Sequence, residues 1–164
     1  MTEIRPLQAG DDFTAAGRVL EESWKHSYRG ILPQSYLDRL SPERFSAAMR
    51  AEPEMTLVLF EQDTPLGVCT LGFSRQRPGA GEVIALYVLP KRMGEGFGRR
   101  LLNAAEEALQ REGCEEICLW VFSSNQNAIA FYQHMGFALT GNVQWEIYAG
   151  EKIEMLEMLC RNMV

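Results

Sequence analysis

Between Leu89 and Leu109 the chain reads LPKRMGEGFGRRLLNAAEEAL. Gly94, Gly96 and Gly98 alternate with other residues where the apolar run VIALYVL gives way to helical spacing. Glycine tolerates positive φ and lets backbone come close to a ligand, so the N–H groups of such a loop can turn towards one anion. The helix that follows opens with Arg99 and Arg100, although unpaired N–H groups there already carry partial positive charge. Without an anion each base costs roughly 0.3–1 kcal/mol; with a phosphate in the loop the sign reverses. The plain alternative is a flexible connection between strand and helix. A dinucleotide fingerprint would need glycine where Arg99 stands, and a Walker loop would need Gly-Lys-Ser/Thr, which does not follow.

A second stretch, NQNAIAFYQHMGF, runs from Asn125 to Phe137. Ala128, Phe131 and Tyr132 fall at helical spacing, so core packing alone would account for much of it. Together with the glycine loop, however, it resembles the GNAT superfamily of acetyl-CoA-dependent N-acetyltransferases. The family's loop, Q/R-x-x-G-x-G/A, is occupied by Met93, Gly94, Glu95, Gly96, Phe97 and Gly98, with Met93 departing from the usual Arg or Gln. The later pattern, N-x-x-A-x-x-F-Y-x-x-x-G-F, is matched by Asn125, Ala128, Phe131, Tyr132, Gly136 and Phe137.

The resemblance implies a division of labour. Backbone groups of Leu86, Tyr87 and Val88 would meet the pantetheine and thioester, with the Val88 N–H as oxyanion donor. The loop from Gly94 to Gly98 would hold the pyrophosphate. Arg92 or Arg99 would supply charge in place of Met93, and Lys91 or Arg100 would meet the ribose phosphate. Asn125 would position cofactor through its amide, and Tyr132 would protonate the leaving thiolate. Some members carry a glutamate where Glu82 stands, taking the amine's proton directly or through water. Strand alternation places Glu82 on one face with Ile84, Leu86 and Val88; the competing reading is a solvent-facing strand-end carboxylate. No cysteine sits in a recognisable nucleophile arrangement, so direct attack by the amine is expected. A lysine-like amine with pKa near ~10.4 costs roughly 4 kcal/mol to deprotonate near neutrality, whereas an α-amino group costs under ~1 kcal/mol.

The acceptor itself is sought in EESWKHSYRGILPQSYL, where Glu22 with Trp24 or Tyr28 would hold a cationic amine by charge and cation–π contact. The blander alternative is a helix end with solvated acids and partly buried aromatics. Arg29 would instead suit a carboxylate. Trp145, Glu146 and Tyr148 fall either beside the acceptor or at a contact between copies. His26 and His134 lack metal-ligand spacing and are read as surface or capping residues; no metal is expected.

The elements that must position these residues form one domain over residues 1–164. The pattern is a strand at EIRPL and helices over 12–25, within YRGILPQSYLDRL, and from Pro42 behind Ser41 as N-cap. A strand hairpin turning at Asp63-Thr64-Pro65 leads to EVIALYV, the glycine-loop helix, EEICLWVF, the 125–135 helix and a final hairpin at AGEK. The expected fold is a mixed α/β domain whose central sheet, mixed but mostly antiparallel, has about seven strands flanked by about four helices. The 46% hydrophobic and 23% charged composition suits a globular chain, and the net charge of −6 disfavours nucleic acid and mildly favours cationic partners. No run approaches the ~20 apolar residues of a membrane helix, the N-terminus lacks a signal-peptide pattern, and the four cysteines read as buried thiols. A cytoplasmic acetyltransferase acting on a small cationic amine, an amino compound or a protein N-terminus follows. A homodimer through the last strands is common in the family. The rival is a non-catalytic coenzyme-A-binding sensor or interaction module.

Overall fold

The computed structural model describes residues 1–161. They form β1 (Thr2–Pro6), α1 (Phe13–Ser27), α2 (Gln34–Leu37), α3 (Pro42–Ala51), β2 (Thr56–Glu61), β3 (Thr64–Phe73), β4 (Gly81–Val88), α4 (Phe97–Arg111), β5 (Glu116–Phe122), α5 (Gln126–His134), β6 (Ala138–Tyr148) and β7 (Glu151–Arg161). The seven strands make one sheet in the order β1-β2-β3-β4-β5-β7-β6. Every neighbouring pair is antiparallel except β4 and β5.

Two layers of helix cover the sheet. On one side, here the back, Phe97, Leu101, Leu102, Ala105 and Leu109 of α4 and Ile129 of α5 pack on Leu57, Cys69, Val83, Ile117 and Met158. Gly67 and Gly81 let α4 lie close: a Cβ at Gly67 would stand 2.7 Å from Leu101 Cδ1, and one at Gly81 2.8 Å from Leu109 Cδ1. On the front, α1 buries Phe13, Ala16, Val19 and Leu20 against Val58, Phe60 and Val68. Asp12 caps that helix, accepting the Ala15 N–H at 3.0 Å. Ser41 holds the N-cap position of α3 without a side-chain capping bond, and Pro42 starts the helix.

Two local expectations are corrected. The β2–β3 turn is Gln62-Asp63, with Thr64 and Pro65 already in the strand; Gln62 takes φ +57°, as a tight two-residue turn demands. In β4 the register against β3 shifts: Ala85 faces Thr70, but Val83 faces Leu71, leaving Ile84 unopposed. This bulge resets the alternation. Val83, Leu86 and Val88 pack on the back, whereas Glu82, opposite Gly72, turns to the front and does not share a face with Leu86 and Val88.

At the far edge of the sheet, β6 exposes Leu139, Val143, Trp145 and Ile147 in a row. Their β7 partners Met158, Leu156, Glu154 and Lys152 set them on the back face.

Candidate active site

β4 and β5 pair only at Gly81–Ile117 and Glu82–Cys118, then part. The Leu89 N–H donates to the Leu66 carbonyl at 2.8 Å, which makes 66/89 a hydrogen-bonded antiparallel pair. Counting back by twos, Tyr87 and Ala85 also bond towards β3, so the N–H groups of Leu86 and Val88 face the gap. Ser23 Oγ, from α1, donates to the Val88 carbonyl at 2.9 Å and leaves its N–H free. Sequence reading had not singled out Ser23.

The glycine loop closes one end of this gap. Gly94 and Gly96 both take φ +83°, and nothing lies within 4 Å of where a Cβ would stand on either. The first bond into α4 is from the Arg100 N–H to the Gly96 carbonyl. Among the described residues the N–H groups from Gly94 to Arg99 therefore have no protein acceptor, and they gather at the positive end of a 15-residue helix.

The bases around this cradle are differently employed. Arg92 donates to Glu61 at 2.9 and 3.0 Å and to Glu95 at 2.7 and 3.2 Å, with its guanidinium 5.5 Å from the Phe97 ring centroid. The hydrogen bonds from Arg92 hold both carboxyl groups below their usual range. Arg92 is thus a strut between β2, the loop and the start of α4. Met93 is exposed. Arg99 contacts His134 Nε2 at 3.0 Å, and Arg100 donates to Thr2 Oγ1 at 2.7 Å; Lys91 is exposed.

Tyr132 lies on α5, edge-on to Phe131 and Phe137. Burial, with smaller contributions from Cys69 and Tyr28, pushes its phenol well above the ordinary value. Its hydroxyl has no protein partner among the described residues, so it is a protonated donor in waiting. Asn125 Oδ1 accepts the Ala128 N–H at 3.3 Å and caps α5, which leaves its Nδ2 for other partners. Glu82 is half-buried on the front; burial, then the charge of Glu157, raise its pKa.

The acceptor residues named from sequence do not converge. Glu22 is exposed, whereas Trp24 and Tyr28 pack together with ring centroids 5.0 Å apart. Residues two and six apart on a helix point to different sides, so Glu22 leaves the side on which Trp24 and Tyr28 pack. An aromatic cluster holds Trp24, Tyr28, Tyr36, Tyr87, Phe122 and Tyr148 over the front of the gap. The Tyr28 and Tyr87 hydroxyls lie 2.7 Å apart, and burial pushes Tyr28 up to about 12. The Tyr148 hydroxyl donates to Glu146 at 2.7 Å, while Trp145 faces away on the back. Also unforeseen is a buried ion pair, Arg77–Glu157, beside Glu82. Its signal was present: Glu157 shares strand parity with Ile153, Met155 and Leu159, so an acid was due to be buried.

Residues 19–137 match the model of the acetyltransferase (GNAT) family. The uncharacterized N-acetyltransferase YuaI of Bacillus subtilis is 30% identical over 128 residues, 75% of this chain and 73% of that protein. The spermidine N(1)-acetyltransferase of Thermoplasma acidophilum is 27% identical over 144 residues, 82% of this chain and 87% of that one. In structure, the PaiA N-acetyltransferase of Thermoplasma acidophilum in complex with coenzyme A superposes with TM-score 0.75 over 99% of both chains, at 24% identity. The chain belongs to the GNAT acetyltransferase family, and the PaiA structure that it resembles holds coenzyme A. The cradle fits such a group: open backbone donors at a helix start match a diphosphate, and an unzipped strand pair offers paired N–H groups to an amide-bearing arm. Among the described residues no cluster is placed to hold a metal, and no helix is long and apolar enough to cross a membrane.

Proposed function

We infer that the protein transfers acetyl from acetyl-CoA to a primary amine by direct attack. The observation that carries this reading is the gap itself, with a free Val88 N–H inside it, the loop donors at one end and Glu82 at the other. Acetyl-CoA supplies the thioester. The N–H groups from Gly94 to Arg99 bind its diphosphate, and Leu86, Tyr87 and Val88 orient the arm. The Val88 N–H receives the developing oxyanion, Tyr132 gives its phenolic proton to the leaving sulfur, and Glu82 accepts the proton of the amine. Arg99 and the Asn125 amide assist at the cradle. The rival reading, a coenzyme-A-binding module without turnover, is supported only by Met93.

Titration calorimetry with acetyl-CoA, ATP and NAD, followed by thioester turnover with an amine panel, tests the reading. Binding of acetyl-CoA alone, with turnover that Tyr132→Phe lowers about 10²-fold or more, is the expected result. Binding without turnover on any amine gives the sensor reading the field. The buried, free thiols Cys69, Cys114, Cys118 and Cys160 support a reducing, cytoplasmic setting for this activity. The apolar row on β6 supports a homodimer, which Ile147→Glu is expected to dissociate in sedimentation equilibrium.

A further inference from the structure

The front face holds a groove of about 490 Å³ that no step above uses. The β3–β4 loop forms one wall with Gln76 and Arg77, and β6 forms the other with Asn142 and Gln144. Trp120 of β5 and Glu157 of β7 line it between them. Trp120 stands two residues beyond Cys118, where β5 has already left β4, so the groove adjoins the gap on the side of Glu82.

Its charge chemistry is closed. Glu157 Oε2 accepts Arg77 Nε at 2.9 Å, while Oε1 accepts Arg77 Nη2 at 2.8 Å, Thr140 Oγ1 at 2.8 Å and Asn142 Nδ2 at 2.9 Å. Oε1 is filled by its three donors and Oε2 keeps one lone-pair site, but Arg77 already neutralises the charge that would draw an ammonium group. Arg77 keeps Nη1 unused, and one weak 3.4 Å bond joins the Gln76 and Gln144 amides. What the groove still offers is one guanidinium edge, neutral amide donors and acceptors, and a flat indole.

We propose that this groove receives the body of the acceptor and selects an amine carried on a neutral, amide-bearing chain of peptide type over a polyamine. A peptide carbonyl accepts a hydrogen bond from Arg77 Nη1 or a glutamine amide, its N–H donates to a glutamine oxygen, and the chain lies along Trp120. A polyamine brings a second ammonium beside Arg77 and finds no free carboxylate. The proposal rests on the acetyltransferase reading and names its acceptor class.

The test compares an amidated tetrapeptide with uncharged side chains and a free N-terminus against spermidine, at saturating acetyl-CoA, with acetyl-CoA binding measured separately by calorimetry. The peptide is expected to exceed spermidine in kcat/KM by about tenfold or more, the value of one good hydrogen bond. Gln144→Ala should raise the peptide's KM several-fold with kcat and acetyl-CoA affinity kept. Gln144→Glu places a free carboxylate in the groove and should turn preference towards spermidine. A wild-type preference for spermidine overturns the proposal, as does a peptide KM indifferent to both substitutions. So does acetyl-CoA binding without turnover of either amine, which leaves the cofactor site standing; absence of acetyl-CoA binding overturns both readings together.

Discussion

Glu82 and Arg92 show how much a residue's office depends on its neighbours. Burial and the nearby charge of Glu157 disfavour the Glu82 carboxylate, so its pKa is raised. In the proposed reaction Glu82 accepts the amine's proton and must be ionised, so activity is expected to grow as pH climbs through that raised value. The acid limb of kcat/KM is expected above the ordinary glutamate value of ~4.3, and Glu82→Gln should erase the limb while lowering the rate about 10²-fold or more. Arg92, two residues before Gly94, looks like a phosphate ligand in the sequence but is spent on Glu61 and Glu95. Removing it leaves two acids beside an anion site. Arg92→Ala should raise the KM for acetyl-CoA about tenfold at low ionic strength and less in high salt. Adding Glu95→Gln should recover part of the loss; no recovery would mean that Arg92 touches the phosphate itself.

At the scale of elements, the β4 bulge decides which face Glu82 occupies. Inserting one residue between Thr70 and Leu71 of β3 gives Ile84 a partner, restores simple alternation along β4 and swings Glu82 to the back with Leu86 and Val88. Turnover is expected to fall about 10²-fold or more while calorimetry still shows acetyl-CoA binding. This bulge was not legible: after Glu82 the run VIALYV contains no glycine or charged residue to mark an irregularity. The strand–loop–helix unit around it was legible, because the period changes abruptly and three glycines punctuate the change. So was the register of α4, whose apolar positions repeat over four turns. The Arg92 strut escaped because Glu61 is 31 residues away, and the front groove because it is lined by the β3–β4 loop and three separate strands. Glu22 was misgrouped with Trp24 and Tyr28 for the opposite reason, being near them in sequence but on another side of the helix.

Across the whole molecule, the Arg77–Glu157 pair ties the middle of the chain to its last strand, 80 residues on. The hydrogen bond from Arg77 holds Glu157 down at about 2. A depressed carboxylate stabilises the fold above its unfolded pKa and loses that contribution as pH falls through the folded value. The pair's share of stability should therefore be complete above pH ~5 and fade from there towards about 2. Arg77→Ala strands a buried charge and is expected to cost about 3 kcal/mol in urea unfolding near neutral pH, a deficit that shrinks on acidification as the acid takes up a proton. In the proposed reaction the two ends of β4 carry separate duties: residues 89–99 leave its C-terminal end to meet the donor, and residues 74–80 enter its N-terminal end to border the groove. Inheritance can act on one end and spare the other. A few exchanges in the 74–80 turn and in β6 would give a descendant a new clientele, while the machinery that loads the acetyl group passed down unaltered.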